Sequence, residues 1–289
     1  MPFLNRQTTG SVVCASCGSL VGVRDDRCFN CGRRNPGLWG FAPLLRNLGN
    51  DMGFVALVVW GSGALYVISL LLSGPSIGMG GGLFGILAPS GPAIFLLGAS
   101  GAIPVFGGGL WWTILSASWL HGSLLHIIFN MMWVRDLGPV VADVYGAGRM
   151  VIIYTAAGAS GFLLSSTAGA YLPPLPLIRS GAGWTLGASA AIFGLLGALV
   201  YYGRRTGSSL VRGQAVRYAV ILGVFGLIMP GVDNFAHAGG FLGGYLTSRF
   251  LDPLKAERID HIVIALLCLA ATVLSIAASV FTGLSLFPA

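Results

Sequence analysis

Residues 54–72 read FVALVVWGSGALYVISLLL and contain no charged side chain. A helix needs about 20 mainly apolar residues to cross a bilayer, so this segment predicts a transmembrane helix. The rest of the chain has the same character, because 55% of its 289 residues are hydrophobic and only 9% are charged. Soluble domains carry roughly 25% charged residues, so the composition indicates an integral membrane protein.

Six further apolar segments are candidates for membrane spans. The seven predicted spans cover residues 54–72, 123–141, 150–170, 186–203, 216–229, 235–251 and 262–282. The fifth is short for a bilayer-spanning helix, and the second contains Arg135 and Asp136. These two spans are therefore the least well supported by length and composition.

Two long connections separate the spans. The connection 73–122 is rich in glycine, and we expect it to lie in the membrane interface, because it contains three tryptophans of the kind found at headgroup level: Trp111, Trp112 and Trp119. The connection 171–185 contains prolines that argue against a helix there: Pro173, Pro174 and Pro176.

The basic residues are distributed unevenly around the spans. With the N-terminus in the cytoplasm, fifteen of the sixteen Lys and Arg residues fall on the cytoplasmic side, and only Arg179 falls on the other. Cytoplasmic loops of membrane proteins carry an excess of basic residues, so this distribution predicts a cytoplasmic N-terminus. It also supports seven spans, because the loss of one would break the alternation.

Spans four and six then run in the same direction, and both begin at the extracytoplasmic face. Ser189 lies near the start of span four and His237 near the start of span six, so we expect them at similar depth. Span four starts at Gly187, and span six carries Gly240 and Gly244 at helical spacing. Small residues allow close helix approach in lipid. Packing alone explains the glycines, but close approach also permits a Ser–His contact.

A serine hydroxyl is a weak nucleophile and needs an adjacent base, for which His237 is the candidate. Asp233 lies one turn before His237, but it is better placed to cap span six, which favours a Ser–His dyad. Phe193 lies four residues after Ser189 and is placed to stack on the imidazole.

His126 and Asn130 are four residues apart and share one face of span two. They either make an interhelical hydrogen bond that aids assembly or donate hydrogen bonds to a developing oxyanion, together with the N–H of Ser189. A lone serine in an apolar helix is usually a packing residue. The combination with a histidine and a His/Asn pair favours the catalytic interpretation.

Three stretches together resemble the rhomboid family of intramembrane serine proteases, over roughly residues 54–251. They are HGSLLHIIFN at 121–130, GASA at 187–190, and HAGG at 237–240 followed by Gly244. The resemblance implies an all-α fold, a six-helix bundle to which this chain adds a seventh C-terminal helix. It implies Ser189 as nucleophile and His237 as base. The implied oxyanion and supporting residues are His126, Asn130, Phe193, His121, Gly187, Gly240 and Gly244.

The resemblance also implies the substrates, which are single-pass membrane proteins cut in or near their spans within the lipid bilayer.

The sequence departs from the family pattern at three positions. Ala190 replaces a glycine, Trp112 stands where an arginine is usual after Trp111, and the acidic residue at Asp143 is displaced by one position. None of these changes removes a reacting group.

Four cysteines near the N-terminus form two CxxC pairs separated by ten residues: Cys14, Cys17, Cys28 and Cys31. Paired CxxC motifs are typical of a zinc ribbon, and four thiolates leave no open position on the metal, so we expect a structural Zn²⁺. The alternative is four unligated thiols in a disordered tail. Catalysis itself needs no cofactor. The ribbon's arginines leave protein, lipid headgroup or nucleic acid open as its ligand, and we expect a cytoplasmic protein partner rather than nucleic acid.

The predicted organisation is a zinc-ribbon-like segment with a linker (1–50), a six-helix catalytic core (51–251) and a seventh transmembrane helix (252–289). We expect a multi-pass protein of a bacterial plasma membrane, with its active site open to the extracytoplasmic side. A non-proteolytic rhomboid-like protein that binds client transmembrane helices is the alternative. A small transporter is a third possibility, but no repeat relates the two halves, and the polar groups lie at span ends rather than at the midplane.

Overall fold

The computed structural model describes residues 6–14, 17–43, 49–79, 85–173 and 181–286. Four residues that enter the predictions lie outside this part of the chain: Arg46, Pro174, Pro176 and Arg179. Within the described residues, seven long helices follow one another, and each coincides with one predicted span. They are α1 (Phe54–Ser73), α2 (Leu124–Tyr145), α3 (Ala147–Tyr171), α4 (Ser189–Thr206), α5 (Ser209–Ile228), α6 (Asn234–Phe250) and α7 (Ile259–Leu286).

The largest difference from the predicted bounds concerns α5, which begins at Ser209 rather than near residue 216. Ser208 caps the helix, because its hydroxyl accepts a hydrogen bond from the N–H of Val211 at 3.4 Å. Arg212 and Arg217 therefore lie within the helix rather than before it. The helix has 20 residues and is no longer too short to cross a bilayer.

Among the described residues, five helices are long and apolar enough to cross a membrane, namely α1, α2, α3, α5 and α7. The other two are shorter, with 18 residues in α4 and 17 in α6. Helix α4 is the centre of the bundle, since every residue from Ala190 to Val200 is buried. A helix that is surrounded by protein does not have to be as apolar as one that faces lipid.

The backbones of α3, α4 and α6 make direct contact through glycines. A Cβ at Gly240 of α6 would overlap the carbonyl oxygen of Ala190 in α4, and a Cβ at Gly244 would overlap Gly194. A Cβ at Gly161 of α3 would lie 2.7 Å from the Ala190 Cβ. The predicted small-residue seams therefore meet, and they bring the starts of α4 and α6 together.

The first loop, residues 74–123, packs on the end of the bundle where α4 and α6 begin. Its described part contains short helices at Gly91–Leu96 and Thr113–Ser116. Its backbone also pairs with the segment ahead of α4, through an antiparallel bridge between Ser100 and Thr185. The loop is thus a part of the folded core.

The three tryptophans of this loop do not share one environment. Trp119 is buried against Gly61 of α1, where a Cβ would lie 2.9 Å from its ring. Trp111 is 48% exposed. Trp119 therefore packs within the protein, because the glycine in α1 provides space for its indole.

At the opposite end of the bundle, the guanidinium of Arg149 is buried and saturated with hydrogen bonds. It donates to four backbone carbonyls, those of Tyr145, Asp252, Lys255 and Ala256. A charged group is tolerated in this position because its donors are satisfied. The contact ties the start of α3 to the connection between α6 and α7.

The N-terminal segment forms a small antiparallel hairpin of β1 (Ser11–Val13) and β2 (Leu20–Gly22). Its core is formed by Val12, Val21 and Val23 together with Cys14 and Cys28. This core is separate from that of the helical bundle.

Candidate active site

Ser189 is the first residue of α4, and its side chain is partly exposed. The first hydrogen bond of the helix runs from the Ile192 N–H to the Ala188 carbonyl at 2.9 Å. The N–H groups of Ser189 and the next two residues therefore have no acceptor within the helix. Such donors at the positive end of a helix dipole favour a negative charge beside Ser189.

Gly187 allows the start of α4 to approach α2. Its φ of +124° is a conformation that residues with a Cβ rarely adopt, and a Cβ would lie 2.6 Å from Nε2 of His126. Its N–H donates to the carbonyl of Ala117 in the first loop at 2.9 Å. The glycine therefore sets both the loop contact and the histidine contact at the start of α4.

His237 lies in the first turn of α6, and it is only 9% exposed. Its imidazole stacks on the ring of Phe193, with centroids 4.2 Å apart and an interplanar angle of 17°. Phe193 is one turn below Ser189 on α4, so the stack holds the imidazole against the helix that begins with Ser189. Ser189 and His237 are not hydrogen-bonded to each other in this structure. Hydrogen bonds of this kind are often formed only when a substrate is bound.

No carboxylate orients the imidazole from within the described residues, since Nδ1 of His237 is buried and has no hydrogen-bond partner there. Asp233 is engaged elsewhere. Its carboxylate accepts from the Ala236 N–H at 2.9 Å, which caps α6, and from the hydroxyl of Ser165. The capping role expected for Asp233 is therefore present.

The imidazole of His126 is held by a hydrogen bond from the loop that precedes α2. Its Nδ1 accepts a hydrogen bond from the Gly122 N–H at 3.3 Å, so in the neutral ring the proton is on Nε2. Nε2 is the atom that faces Gly187, two residues before Ser189. The ring of His121, which is buried, packs edge-on against His126 at 5.2 Å.

Asn130 is buried on the same face of α2, one turn from His126. Its amide group donates to the His126 carbonyl at 2.8 Å, which is a hydrogen bond within the same helix. The amide has a second N–H, which is available to a ligand. One N–H of the Asn130 amide is therefore already hydrogen-bonded, whereas Nε2 of His126 faces the start of α4.

The methyl group of Ala190 is buried, and it packs against Gly161 of α3. The extra carbon at this position is thus accommodated in a helix contact.

Asp143 accepts a hydrogen bond from the side chain of Asn50 at 2.6 Å, which joins α2 to the segment before α1.

Ser165 of α3 is a site residue that was not predicted from the sequence. Its hydroxyl donates to Asp233 at the start of α6 and accepts from the N–H of Ala182 ahead of α4, at 3.1 Å. It therefore joins the two segments that carry Ser189 and His237. In the sequence, the feature that could have pointed to Ser165 is a pair of serines, Ser165 and Ser166, within an apolar span. Both are buried in the structure.

A family model described as the Rhomboid domain matches residues 108–253, which is just over half of the 289 residues. The matched region includes Ser189, His237, His126 and Asn130. The chain belongs to the rhomboid family. Its helical bundle is the rhomboid fold, and with five helices able to cross a membrane it is an integral membrane protein.

Several curated rhomboid proteins are similar to this chain. Rhomboid protease GluP of Bacillus subtilis (strain 168) is 34% identical over 151 residues, which cover 51% of this chain and 27% of that protein. RHOMBOID-like protein 4 of Arabidopsis thaliana is 32% identical over 165 residues, covering 56% and 39%. Inactive RHOMBOID-like protein 8 of the same plant is 30% identical over 136 residues, covering 45% and 35%. The chain thus spans less than half the length of each, and the family includes both proteases and an inactive member.

This rhomboid also carries a cysteine cluster in its N-terminal segment. The four sulfur atoms of Cys14, Cys17, Cys28 and Cys31 lie within 4.8 Å of one another. The Cys14–Cys31 and Cys17–Cys28 sulfur pairs are 3.7 and 3.6 Å apart. A tetrahedral zinc ion with Zn–S bonds of about 2.3 Å requires sulfur separations of about 3.8 Å. The cluster therefore fits a four-coordinate metal of this kind.

The environments of these thiols differ. Burial raises the pKa of Cys31 to about 12. Burial acts in the same direction on Cys17, but hydrogen bonds with Ser19 outweigh it and lower the pKa of Cys17 to about 6. A metal ion binds thiolates, so binding at this cluster releases the protons of its thiols.

Proposed function

We propose that this rhomboid is an intramembrane serine endopeptidase with a Ser189–His237 dyad. The main support is the arrangement at the start of α4. A partly exposed serine lies there among N–H groups that have no helical acceptor, while Phe193 of the same helix holds the ring of His237. Because Nδ1 of His237 has no carboxylate partner among the described residues, a dyad describes the site better than a triad.

In this mechanism the Ser189 hydroxyl attacks the scissile carbonyl, and Nε2 of His237 accepts its proton. The oxyanion receives hydrogen bonds from the Ser189 N–H, from Nε2–H of His126 and from the second N–H of the Asn130 amide. His237 then returns the proton to the leaving amine, which leaves an acyl group on Ser189. Water activated by His237 hydrolyses the ester and restores the serine.

We propose single-pass membrane proteins as substrates, cut in or near a transmembrane segment. In lipid the carbonyl groups of an intact helix are hydrogen-bonded within the helix and shielded from attack. A segment that contains helix-weakening residues exposes its carbonyls at lower cost. We therefore expect preference for such segments and for small side chains at the cleavage site.

We propose the same topology and division as the sequence predicts. The N-terminus lies in the cytoplasm, the site opens to the extracytoplasmic side, and the units cover residues 1–50, 51–251 and 252–289. The positive-inside distribution supports the orientation. For the cysteine cluster we propose a structural Zn²⁺, because four sulfur ligands leave no position for a substrate or water.

The alternative is a non-proteolytic rhomboid that binds client transmembrane helices, as the similarity to an inactive relative allows. The presence of both Ser189 and His237, with His126 directed at the start of α4, favours the protease. One experiment separates the two proposals. Purified protein in lipid nanodiscs is incubated with a fluorophosphonate probe and, separately, with a single-pass substrate whose helix contains a Gly-Pro interruption.

We expect wild type to be labelled and to cleave, and Ser189→Ala and His237→Ala to do neither. Ser285→Ala is the matched control, because that hydroxyl is exposed and, among the described residues, its hydrogen bond is to the Thr282 carbonyl of its own helix. A folded wild type that neither reacts nor cleaves would exclude the protease, and crosslinking of the intact client would then support the binding alternative.

A further inference from the structure

Helix α7 makes two polar contacts with the first loop, and both involve Trp112. The indole N–H of Trp112 donates to the hydroxyl of Ser279 at 3.1 Å. The hydroxyl of Ser275 donates to the backbone carbonyl of Trp112 at 2.6 Å. The two serines are one helical turn apart on α7, and both are buried. One residue of the loop is therefore held at its side chain and at its backbone.

The same face of α7 touches the loop at two glycines. Gly98, with φ of +98°, lies between the hydroxyls of Ser116 and Ser279, and a Cβ there would overlap both. A Cβ at Gly283 of α7 would lie 2.5 Å from Leu96 of the short loop helix. A helix that served only as a lipid anchor would not need such closely fitted contacts.

The loop segment after Trp112 leads directly to the candidate active site. It forms the short helix Thr113–Ser116 and then presents the carbonyl of Ala117 to the N–H of Gly187 at 2.9 Å. Gly187 precedes Ser189 by two residues. One short stretch of loop therefore separates the α7 contact from a hydrogen bond at the start of α4.

A second connection runs in parallel. The hydroxyl of Thr113, the residue after Trp112, donates to the Leu110 carbonyl at 2.8 Å and lies 3.3 Å from the hydroxyl of Ser100. Ser100 in turn forms a backbone bridge with Thr185, with N···O distances of 2.9 and 2.8 Å. Both routes end in the segment that immediately precedes α4.

We infer that α7 is a positioning element for the active site, acting through Ser275, Ser279 and Trp112 on the loop that holds the start of α4. These three residues do not contact the reacting atoms, so they are positioning and not catalytic residues. The consequence for catalysis rests on the proposed function, whereas the holding of the loop does not.

The test uses the full chain in nanodiscs, as wild type, Ser275→Ala/Ser279→Ala, Trp112→Phe and the control Ser285→Ala. Hydrogen exchange is followed in peptides covering residues 110–119 and 182–189. In the double variant we expect faster exchange in both peptides, with exchange of α2 and α6 unchanged. Trp112→Phe loses only the indole hydrogen bond and should show a smaller change in the same direction.

The second readout is the rate of cleavage of the single-pass substrate. Small misplacements of a reacting group reduce turnover strongly, so we expect kcat of the double variant to fall roughly tenfold or more, with KM unchanged. Ser285→Ala should match wild type in both measurements.

Unchanged exchange in the double variant would overturn the inference, and so would faster exchange with kcat equal to that of wild type. Faster exchange throughout the bundle, with a general loss of thermal stability, would also overturn it, since it would mean that the serines contribute to overall stability only. If wild type itself is inactive, the proposed function fails. The inference that α7 positions the start of α4 is then decided by hydrogen exchange alone, namely by whether the double variant exchanges faster than wild type in residues 182–189.

Discussion

The imidazole of His237 lies almost parallel to the phenyl ring of Phe193, 4.2 Å away, although the two residues belong to different helices. In the proposed dyad, this stack orients the ring in place of a carboxylate. Offset aromatic contacts of this type are worth about 0.5–1.5 kcal/mol beyond area burial. We therefore expect Phe193→Leu to reduce fluorophosphonate labelling by roughly 2- to 10-fold, since this energy range corresponds to that factor.

The matched variant for this test is Phe193→Tyr, which keeps the stacked ring and should retain most of the labelling rate. Pseudo-first-order labelling rates of the two variants provide the comparison. Equal rates for the leucine and tyrosine variants would show that the ring contact does not orient His237.

His126 and Asn130 should contribute unequally to the reaction. Nε2 of His126 faces the start of α4, whereas the Asn130 amide already donates to the His126 carbonyl. Loss of one oxyanion donor costs about 10²- to 10³-fold in kcat in serine proteases. We expect His126→Ala to reach this range and Asn130→Ala to lose less. Steady-state kinetics with one substrate measures both, and a larger loss at Asn130 would contradict the proposed roles.

Gly240 should not tolerate any side chain. A Cβ there would overlap the Ala190 carbonyl, so Gly240→Ala forces α4 and α6 apart. Overpacking of this kind typically costs about 1–3 kcal/mol, and we expect a clear decrease in the thermal unfolding temperature in detergent. Gly223→Ala in α5 is the control, because no atom lies within 4 Å of the position that its methyl group would take, and alanine favours a helix. A Gly240→Ala protein as stable as Gly223→Ala would contradict this close packing of α4 and α6.

The cysteine cluster should bind about one zinc ion per chain. Cys28→Ser removes a buried ligand, and we expect it to lose the metal, as measured by elemental analysis of the purified protein. Cys268→Ser is the matched control, because Cys268 lies in α7, far along the chain from the cluster, and should keep the metal. A wild-type preparation that is free of zinc and has an intact N-terminal hairpin would refute the zinc ribbon.

The sequence was sufficient to locate the seven long helices of the described residues. Apolar runs mark the five that are able to cross a membrane, whereas for α4 and α6 the alternation of basic residues supplied the further argument. The start of α5 was missed, since its first turns contain Arg212 and Arg217 and only the cap at Ser208 marks where they begin. A hydropathy pattern does not show where a capping residue such as Ser208 begins a helix.

The candidate site was predictable only as a set of residues on particular helices. The conformation of Gly187 and the intrahelical hydrogen bond of Asn130 depend on backbone angles that no residue pattern specifies. The contact of Ser165 with Asp233 joins residues 68 positions apart. The fold of the first loop was also beyond prediction, since its glycine-rich composition lacks a helical or strand period.

Helices α4 and α6 carry Ser189 and His237, and they are the two of the seven described long helices that are not both long and apolar enough to cross a membrane. During synthesis, such segments gain little by entering lipid alone and depend on neighbouring helices to shield their polar groups and glycine faces. We therefore expect α1, α2 and α3 to enter the membrane before α4 and to provide the surface on which α4 packs. In a nascent chain that stops within α4, we expect the first three helices to be inserted while α4 itself inserts poorly, so that the reacting residues come together only after the neighbouring helices are in the membrane.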